Sequence, residues 1–370
     1  GYQRLHRFMH QVYRYEMAEF IDRNIDGPWQ LLTPNLARLA ALGAFRTLST
    51  KVGSFLKDDR TRRIFSFQSM YAGLSPHQAL AIYAVISYMD TVGGVYFPVG
   101  GLHSVPQALA GAASKHGVDI RYDTEVTRVE MAGRRATAVI TEHGERIPAD
   151  TVVLNPDLPI AYRDLLGQAP HSVRRLRYAP SCFLMLSGSS RAYPGIEHHN
   201  IHFGRAWRGV FDEVIDQSRL MSDPSFFVSS PSLSDPTLAP AGRHTYYTLV
   251  PTPNTRSGLD WHGLSKLYRD EVVDTLEHNG YPGFGAATEV EEIVTPADWE
   301  RRGMAGGTPF AAAHTFTQTG PFRPGNLYGE NVVFTGSGTR PGVGIPMVLI
   351  SGRLAAERIT GAHPRLLEAS

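Results

Sequence analysis

Asn331-Val-Val-Phe-Thr-Gly-Ser-Gly-Thr-Arg-Pro-Gly-Val-Gly-Ile-Pro-Met-Val-Leu-Ile-Ser-Gly-Arg-Leu-Ala-Ala-Glu-Arg-Ile359 reads as a strand, a glycine turn and a helix. Val332 to Phe334 is a short apolar run, and Gly336, Gly338, Gly342 and Gly344 let the backbone bend and come close to a neighbour. A helix is expected from about Ile345, where Pro346 suits the first turn because its missing N–H has no intrahelical partner there. Ile345, Val348, Leu349, Gly352, Ala355, Ala356 and Ile359 recur with helical spacing. Free N–H groups and the positive end of the helix dipole then face the glycine turn, a suitable place for phosphate or another electron-rich group. An ordinary crowded strand–helix connection reads the same way, so the rest of the chain decides.

A length of 370 residues suffices for two or more domains, and 42% apolar with 19% charged residues describe a globular protein with a large core. A net charge of +1 gives no basic excess of the kind nucleic-acid binding needs. Cys182 is the only cysteine, which rules out an intramolecular disulfide and fits a reducing, cytoplasmic setting. Gly1-Tyr2-Gln3-Arg4 opens directly into amphipathic sequence, without an initiator Met or a signal-peptide pattern.

The first 92 residues read as helical. Phe8 to Ile21 precedes an interruption at Asp26-Gly27-Pro28, and a second helix is expected from Pro34 to about Leu56. There Leu36, Leu39, Ala40, Gly43, Leu48, Val52, Phe55 and Leu56 share a broad face, beside Arg38, Arg46, Lys51 and Lys57. Residues 1–70 hold eleven Lys/Arg against six Asp/Glu, a local excess of +5. That stretch either packs on the domain beneath or lies on an anionic membrane surface. Ser75 to Met89 reads as a buried helix. Beyond Gly93-Gly94 a short aromatic strand at Tyr96-Phe97, a helix from His103 to His116 and strands at Val118–Tyr122, Thr124–Glu130, Ala136–Ile140 and Thr151–Leu154 are expected. After Asn155-Pro156, strands at Ser181–Ser187, Asn200–Phe203, Ser225–Ser230, His244–Pro251 and Glu289–Val294, with a helix from Leu264 to Asn279, predict a mixed or antiparallel sheet lined by aromatic and aliphatic residues. His198, His199 and His202 cluster without a nearby carboxylate or thiol, so they read as turn or surface histidines, and no metal site is expected.

Tyr96-Phe-Pro-Val-Gly-Gly-Leu102, Gly117-Val-Asp-Ile-Arg-Tyr-Asp-Thr-Glu-Val-Thr-Arg-Val129, Ala149-Asp-Thr-Val-Val-Leu-Asn155 and the block Gly338-Thr-Arg-Pro-Gly-Val-Gly-Ile-Pro346 resemble, in order, the signature blocks of carotenoid desaturases of the bacterial phytoene desaturase type. These lie within the FAD-dependent amine oxidase-like superfamily. The resemblance implies an α/β (mixed α+β) fold: a discontinuous Rossmann-like FAD-binding domain with an inserted mixed-sheet substrate domain and a helical, membrane-associating region. The boundaries it suggests are 1–92 for the helical region, 93–156 and 296–370 for the FAD-binding parts, and 157–295 for the substrate domain. It implies desaturation of phytoene or a related polyene, with hydride passing to flavin and a proton lost. A carotenoid isomerase, a retinol saturase-like enzyme, or a non-catalytic carotenoid- or membrane-binding protein lacking a complete flavin site are the alternatives. Peripheral attachment to the membrane is part of the same expectation.

By the same resemblance Gly336, Ser337 and Gly338 lie along the FAD ribityl and pyrophosphate, with Gly342 in the block that follows. Gly344, Ile345, Pro346 and Met347 approach the flavin ring, and Val126 meets the adenine through its backbone. Related amine oxidases often carry an acidic residue after the first glycine; Ser337 and Gly338 stand there instead, so ribityl contacts fall to hydroxyl or backbone groups. Arg340 faces either cofactor or solvent. No catalytic base is identified, since Glu125 and His314 stand without a supporting constellation. The chain departs from the family in one respect: it has no G-x-G-x-x-G motif, because the run from Gly336 ends in Pro341. The expectation is that an N-terminal βαβ segment is missing and that this chain holds FAD poorly or not at all.

Overall fold

The computed structural model describes residues 1–361. Eleven strands are found among them: β1 Val126–Ala132, β2 Arg135–Thr141, β3 Arg146–Pro148, β4 Val152–Leu154, β5 Ser181–Ser189, β6 His199–His202, β7 Phe226–Ser229, β8 His244–Thr252, β9 Thr288–Val294, β10 Leu327–Tyr328 and β11 Val332–Phe334. The chain divides into two compact units. One comprises Gly1–Val95, Thr124–Ala179 and the described residues from Phe310 onward; the other comprises Tyr96–Asp123 and Pro180–Pro309.

In the first unit the helix Tyr2–Glu16 buries Leu5, Phe8, Met9 and Val12, which recur every three or four residues and therefore share one side. They pack with Leu39, Leu48, Val52, Leu56, Ala81 and Val85. The expected helix from Pro34 to Leu56 is instead two short ones, Pro34–Ala41 and Leu48–Gly53. Thr33 caps the first by accepting the Leu36 N–H at 3.3 Å. Between them Gly43 takes φ +72°, which favours glycine. The backbone of 44–48 then pairs with 79–82, where Leu48, Ala81 and Ile82 donate to Ala79, Arg46 and Ala44. That pairing also breaks the helix expected over Ser75–Met89. Only Ala84–Tyr88 is α-helical, between a tight turn at Ala81–Tyr83 and a wide π-type turn at Met89–Gly93. Local periodicity could not register this long-range exchange of hydrogen bonds.

The rest of this unit is built on two small sheets. Strands β1, β2 and β3 form an antiparallel meander, and β11 lies between β4, to which it is parallel, and β10, to which it is antiparallel. Their core gathers Val129, Val152, Leu154, Tyr162, Val332 and Phe334. Asn331, at the start of β11, joins the two sheets: its amide donates to the carbonyls of Ala136 and Asp150 at 2.8 and 2.7 Å and accepts the Ala136 N–H at 2.8 Å. A buried asparagine so satisfied specifies one register.

The second unit carries a five-stranded sheet in the order β6-β7-β8-β5-β9. All its pairings are antiparallel, which is one of the two arrangements expected from the strand run and corrects the mixed sheet implied by the resemblance. Helix Trp261–His278 packs through Trp261, Tyr268, Val272, Val273 and Leu276, with Tyr268 edge-on to Phe183 at 5.1 Å. Cys182 is buried in β5, where burial pushes its thiol up to about 12 and leaves it unreactive at neutral pH. All three clustered histidines are engaged by aromatic packing: His198 bonds Ser234 at 2.8 Å and meets Phe97 edge-on, His199 meets Phe227 edge-on at 5.2 Å, and His202 stacks on Phe226 and reaches Tyr281 at 3.2 Å. The expected strands at Tyr96-Phe97 and Val118–Tyr122 are absent. Val118 closes the preceding helix by donating to Ala113, and Tyr96 stays 87% exposed. A β-branched or aromatic run becomes a strand only where a neighbouring ladder receives it.

Candidate functional site

Strand β11 is buried throughout, and its ladder continues one residue further, with Thr335 donating to the Leu154 carbonyl at 2.9 Å. The chain then turns over Gly336. Its N–H is held by the hydroxyl of Ser351, a fully buried residue of the helix Ile345–Thr360. A side chain at Gly336 would stand 2.7 Å from the Asn155 amide oxygen, and one at Gly338 would stand 2.8 Å from the Leu158 Cβ. One at Gly342 would enter the His314 ring, 2.3 Å from Cε1 and 2.6 Å from Nε2. Three of the four glycines thus allow close packing against Asn155, Leu158 and His314.

Gly344 differs from them. It takes φ +108°, is exposed, and has nothing within 4 Å of where a Cβ would stand. It is also the N-cap of the helix and supplies no side-chain cap, so the first turn keeps unpaired N–H groups aimed out of the helix. Ile345 is 54% exposed, Pro346 is exposed and Met347 is half-buried. Open backbone, the positive helix end and apolar side chains therefore occur together from Gly344 to Met347. Ser337 contributes its carbonyl to the support beneath the turn. Val126 opens β1 and packs on the core shared with Val332 and Phe334.

The turn is held from beneath by Arg323, only 1% exposed. Its guanidinium donates to Ser337 at 2.5 Å, Thr339 at 3.0 Å, Ala312 at 3.2 Å and Gln318 at 3.5 Å, all backbone carbonyls. Burial lowers its pKa to about 10, partly offset by Tyr83 and Asp157, so it stays cationic at neutral pH. The half-buried Arg340 guanidinium is engaged within the chain, donating to the carbonyls of Arg323 at 3.0 Å, Pro321 at 2.8 Å and Ile25. His314 is buried behind Gly342 with Nδ1 at 3.4 Å from the Thr319 hydroxyl and Nε2 without a partner. Burial first, and the Arg323 charge second, hold its pKa well below the ordinary value, so the ring is neutral. Tyr83 donates to the His314 carbonyl at 3.0 Å and shares a hydrogen bond with Thr319 at 2.9 Å.

The helix itself is clamped to residues 22–26. Arg353 pairs with Asp22, Arg358 with Asp26, and Asn24 donates to the Leu354 carbonyl at 3.0 Å. Sequence reading missed Arg323 and Ser351. An arginine in Gly320-Pro-Phe-Arg-Pro-Gly325 reads as a solvated turn residue, and a lone serine within a helix carries no signal of its own.

A family model described as flavin containing amine oxidoreductase matches residues 9–360. The chain belongs to that family. FAD is therefore its cofactor and oxidation–reduction its chemistry. Among curated proteins it is similar to phytoene dehydrogenase of Streptomyces griseus, with 54% identity across 100% of this chain and 73% of that protein. It is also similar to a zeta-carotene-forming phytoene desaturase of Myxococcus xanthus, with 38% identity across 95% of this chain and 69% of the relative. An oxidoreductase from Methanosarcina mazei shares the fold, with a TM-score of 0.59 and 16% identity over 88% of this chain and 74% of that one. So does a triple mutant of putrescine oxidase, at TM-score 0.54 and 14% identity over 97% and 75%. The expected flavin amine oxidase-like α/β class therefore stands.

The residues present fit a flavin in kind. Gly344 leaves room where a side chain would stand, the helix start is uncapped, and a buried cation lies under the turn.

Proposed function

We propose that this chain is an FAD-dependent desaturase of a long, apolar carotenoid polyene of the phytoene type. The observation that carries the reading is 54% identity to a phytoene dehydrogenase along the whole chain. The open turn from Gly344 to Met347 supports it, because it offers backbone N–H groups to a polar cofactor and apolar side chains to a hydrocarbon.

FAD, when bound, accepts the hydride removed from carbon. The chain's own part is to bind and orient. Gly336, Ser337, Gly338 and Gly342 shape the turn, Arg323 and Ser351 hold it rigid, and the N–H groups at the helix start meet the electron-rich part of the cofactor. Val126 is assigned to the adenine side. Ile345, Pro346 and Met347 keep water from the reacting carbons, where an uncharged substrate is placed by contact rather than by ion pairs. Incubating the FAD-saturated chain with phytoene in liposomes is expected to produce absorbance bands at longer wavelength as conjugation lengthens. An unchanged polyene spectrum would refute the reading. Bands of a double-bond isomer without added conjugation would favour an isomerase.

A membrane surface is the proposed source of the substrate, with a cytoplasmic, peripheral location. Among the described residues no helix is long and apolar enough to cross a bilayer. The face expected to enter the interface is largely inside the protein: Leu39, Leu48, Val52 and Leu56 are core residues. Lys51 is likewise engaged, donating to the Leu42 carbonyl at 2.6 Å with its ammonium 4.7 Å from the Phe8 ring centre. Trp29 and Leu32, 79% and 76% exposed, with Phe45 and the exposed Arg46, are better placed to meet lipid. Trp29→Ala combined with Leu32→Ser should lower co-sedimentation with anionic liposomes at least tenfold, taking about 1.5–3 kcal/mol per buried large side chain. Equal sedimentation of mutant and wild type would exclude this patch.

A further inference from the structure

The antiparallel sheet of the second unit has two unequal faces. Cross-strand partners share a face, and the register sets Phe183 opposite Val250, with Met185 and Val228 on either side of Thr248. These side chains are fully buried, and the helix Trp261–His278 packs on them through Tyr268 and Phe183. Side chains alternate along a strand, so the opposite face carries His199 and Ile201 of β6, Phe227 of β7, Tyr247 and Leu249 of β8, and Leu186 of β5. All six are half-buried or exposed. An antiparallel sheet commonly turns a polar face to water, and this one turns an apolar face. Among the described residues on that face, from β5 to β8, none is Asp, Glu, Lys or Arg. The first charge is met on the edge strand β9, where Glu292 pairs with Arg302 at 3.2 Å.

The rings on this face touch in series. Tyr247 lies 6.2 Å from Phe227, Phe227 lies 5.2 Å from His199, and His199 lies 4.5 Å from His198, measured between ring centres. At the start of β6 the row continues from His198 to Phe97, 4.6 Å away. Each neighbouring pair meets edge-on, so ring faces and ring edges alternate along the row. Burial holds both histidines below their ordinary pKa, and each is neutral at pH 7; for His199 the nearby His198 adds to the effect. His198 Nδ1 is taken by the Ser234 hydroxyl, and its buried Nε2 has no partner.

Resting on the desaturase reading, we propose that this row of rings, from Phe97 through His198, His199 and Phe227 to Tyr247, is a track that binds the polyene chain and favours a conjugated chain over a saturated one. The match is first one of charge. An uncharged hydrocarbon can lie on neutral rings and aliphatic side chains without stripping water from an ion, whereas an ionised group on the same face would have to be desolvated beneath it. The second match is to the π-electrons of the chain. Ring edges and faces attract another π-system beyond the contribution of buried area, and a saturated chain receives the area contribution alone.

His199 stands on the outermost strand and is exposed, so its replacement tests the track with little risk to the fold. With FAD-saturated protein and zeta-carotene in detergent micelles, wild type should induce circular dichroism in the polyene bands on binding. His199→Asp, which sets a charge in the row, and Phe227→Ala, which removes a ring, should each weaken that binding on the order of tenfold. His199→Phe should bind within about threefold of wild type. The flavin spectrum and melting temperature should stay unchanged in both His199 variants. In turnover of phytoene the weak binders should show a raised KM with kcat little altered. Wild-type binding in both His199→Asp and Phe227→Ala, with conversion of phytoene intact, would overturn the track and leave the desaturase reading standing. Equal displacement of zeta-carotene by the saturated hydrocarbon squalane would also overturn it, since any apolar surface does as much. So would light scattering that finds a dimer in wild type and a monomer in His199→Asp, which would give the face to a second copy. If wild type neither binds nor converts a polyene, both readings fall.

Discussion

Gly342→Ala is expected to lower the stability of the unit that carries the turn by roughly 2–6 kcal/mol and, by displacing the turn, to weaken FAD binding. Gly342 takes φ +143°, and its Cβ would stand 2.3 Å from Cε1 of His314. The ring has little room to withdraw, being buried between Gly342 and Thr319. Overpacking costs about 1–3 kcal/mol and a non-glycine residue in that conformation about 1–3 more, for a total of roughly 2–6 kcal/mol. Gly344→Ala separates the two terms, since nothing lies within 4 Å of its Cβ position and only the φ of +108° is unfavourable. Truncating the ring in Gly342→Ala/His314→Ala should restore part of the loss, and a double-mutant cycle measures how much. Flavin absorbance titration and thermal melts supply the numbers. Wild-type affinity in Gly342→Ala would mean that FAD does not bind at this turn.

Arg323→Met is expected to cost about 4 kcal/mol or more of stability. The side chain is similar in length, but four buried or half-buried carbonyls, of Ser337, Thr339, Ala312 and Gln318, lose their donor together. Hydrogen bonds to a charged group contribute about 1.5–3 kcal/mol each, and their loss is not additive in so tight a cluster. Arg323→Lys should recover only a fraction, since an ammonium cannot reproduce the planar fork that reaches carbonyls on both sides. Urea denaturation reads the loss, and retention of flavin after desalting reads its consequence for the turn. An unfolding free energy within about 0.5 kcal/mol of wild type would show that the carbonyls find other donors.

These two residues also mark the limit of what was legible in the sequence. The strand, turn and helix from Asn331 to Ile359 could be read because their pattern is local: an apolar run, glycines, a proline in the first helical turn. Strands β5, β7, β8 and β9 lie within two residues of where alternation and turn residues put them. The helix over 34–56 was misread because its stop signal, Gly43, acts together with a backbone pairing to residues 79–82. The strand over 118–122 was misread because composition reports a preference and says nothing of a partner. Of the site, the front from Gly344 to Met347 was legible. Its back was not, since Arg323, His314 and Ser351 acquire meaning only when the chain brings them under the turn.

The clamp between residues 22–26 and the last helix bears on the order of assembly. Asp22 and Arg353 are 331 residues apart, and contacts of such separation close a loop that embraces nearly the whole chain. Loop-closure entropy delays them. During synthesis the antiparallel sheet of Pro180–Pro309 can form as soon as β9 has emerged, and the N-terminal helices can close their own core, while residues 22–26 wait for a partner made more than 300 residues later. The glycine turn is thus among the final parts to become rigid, and FAD added during refolding should bind in a late kinetic phase.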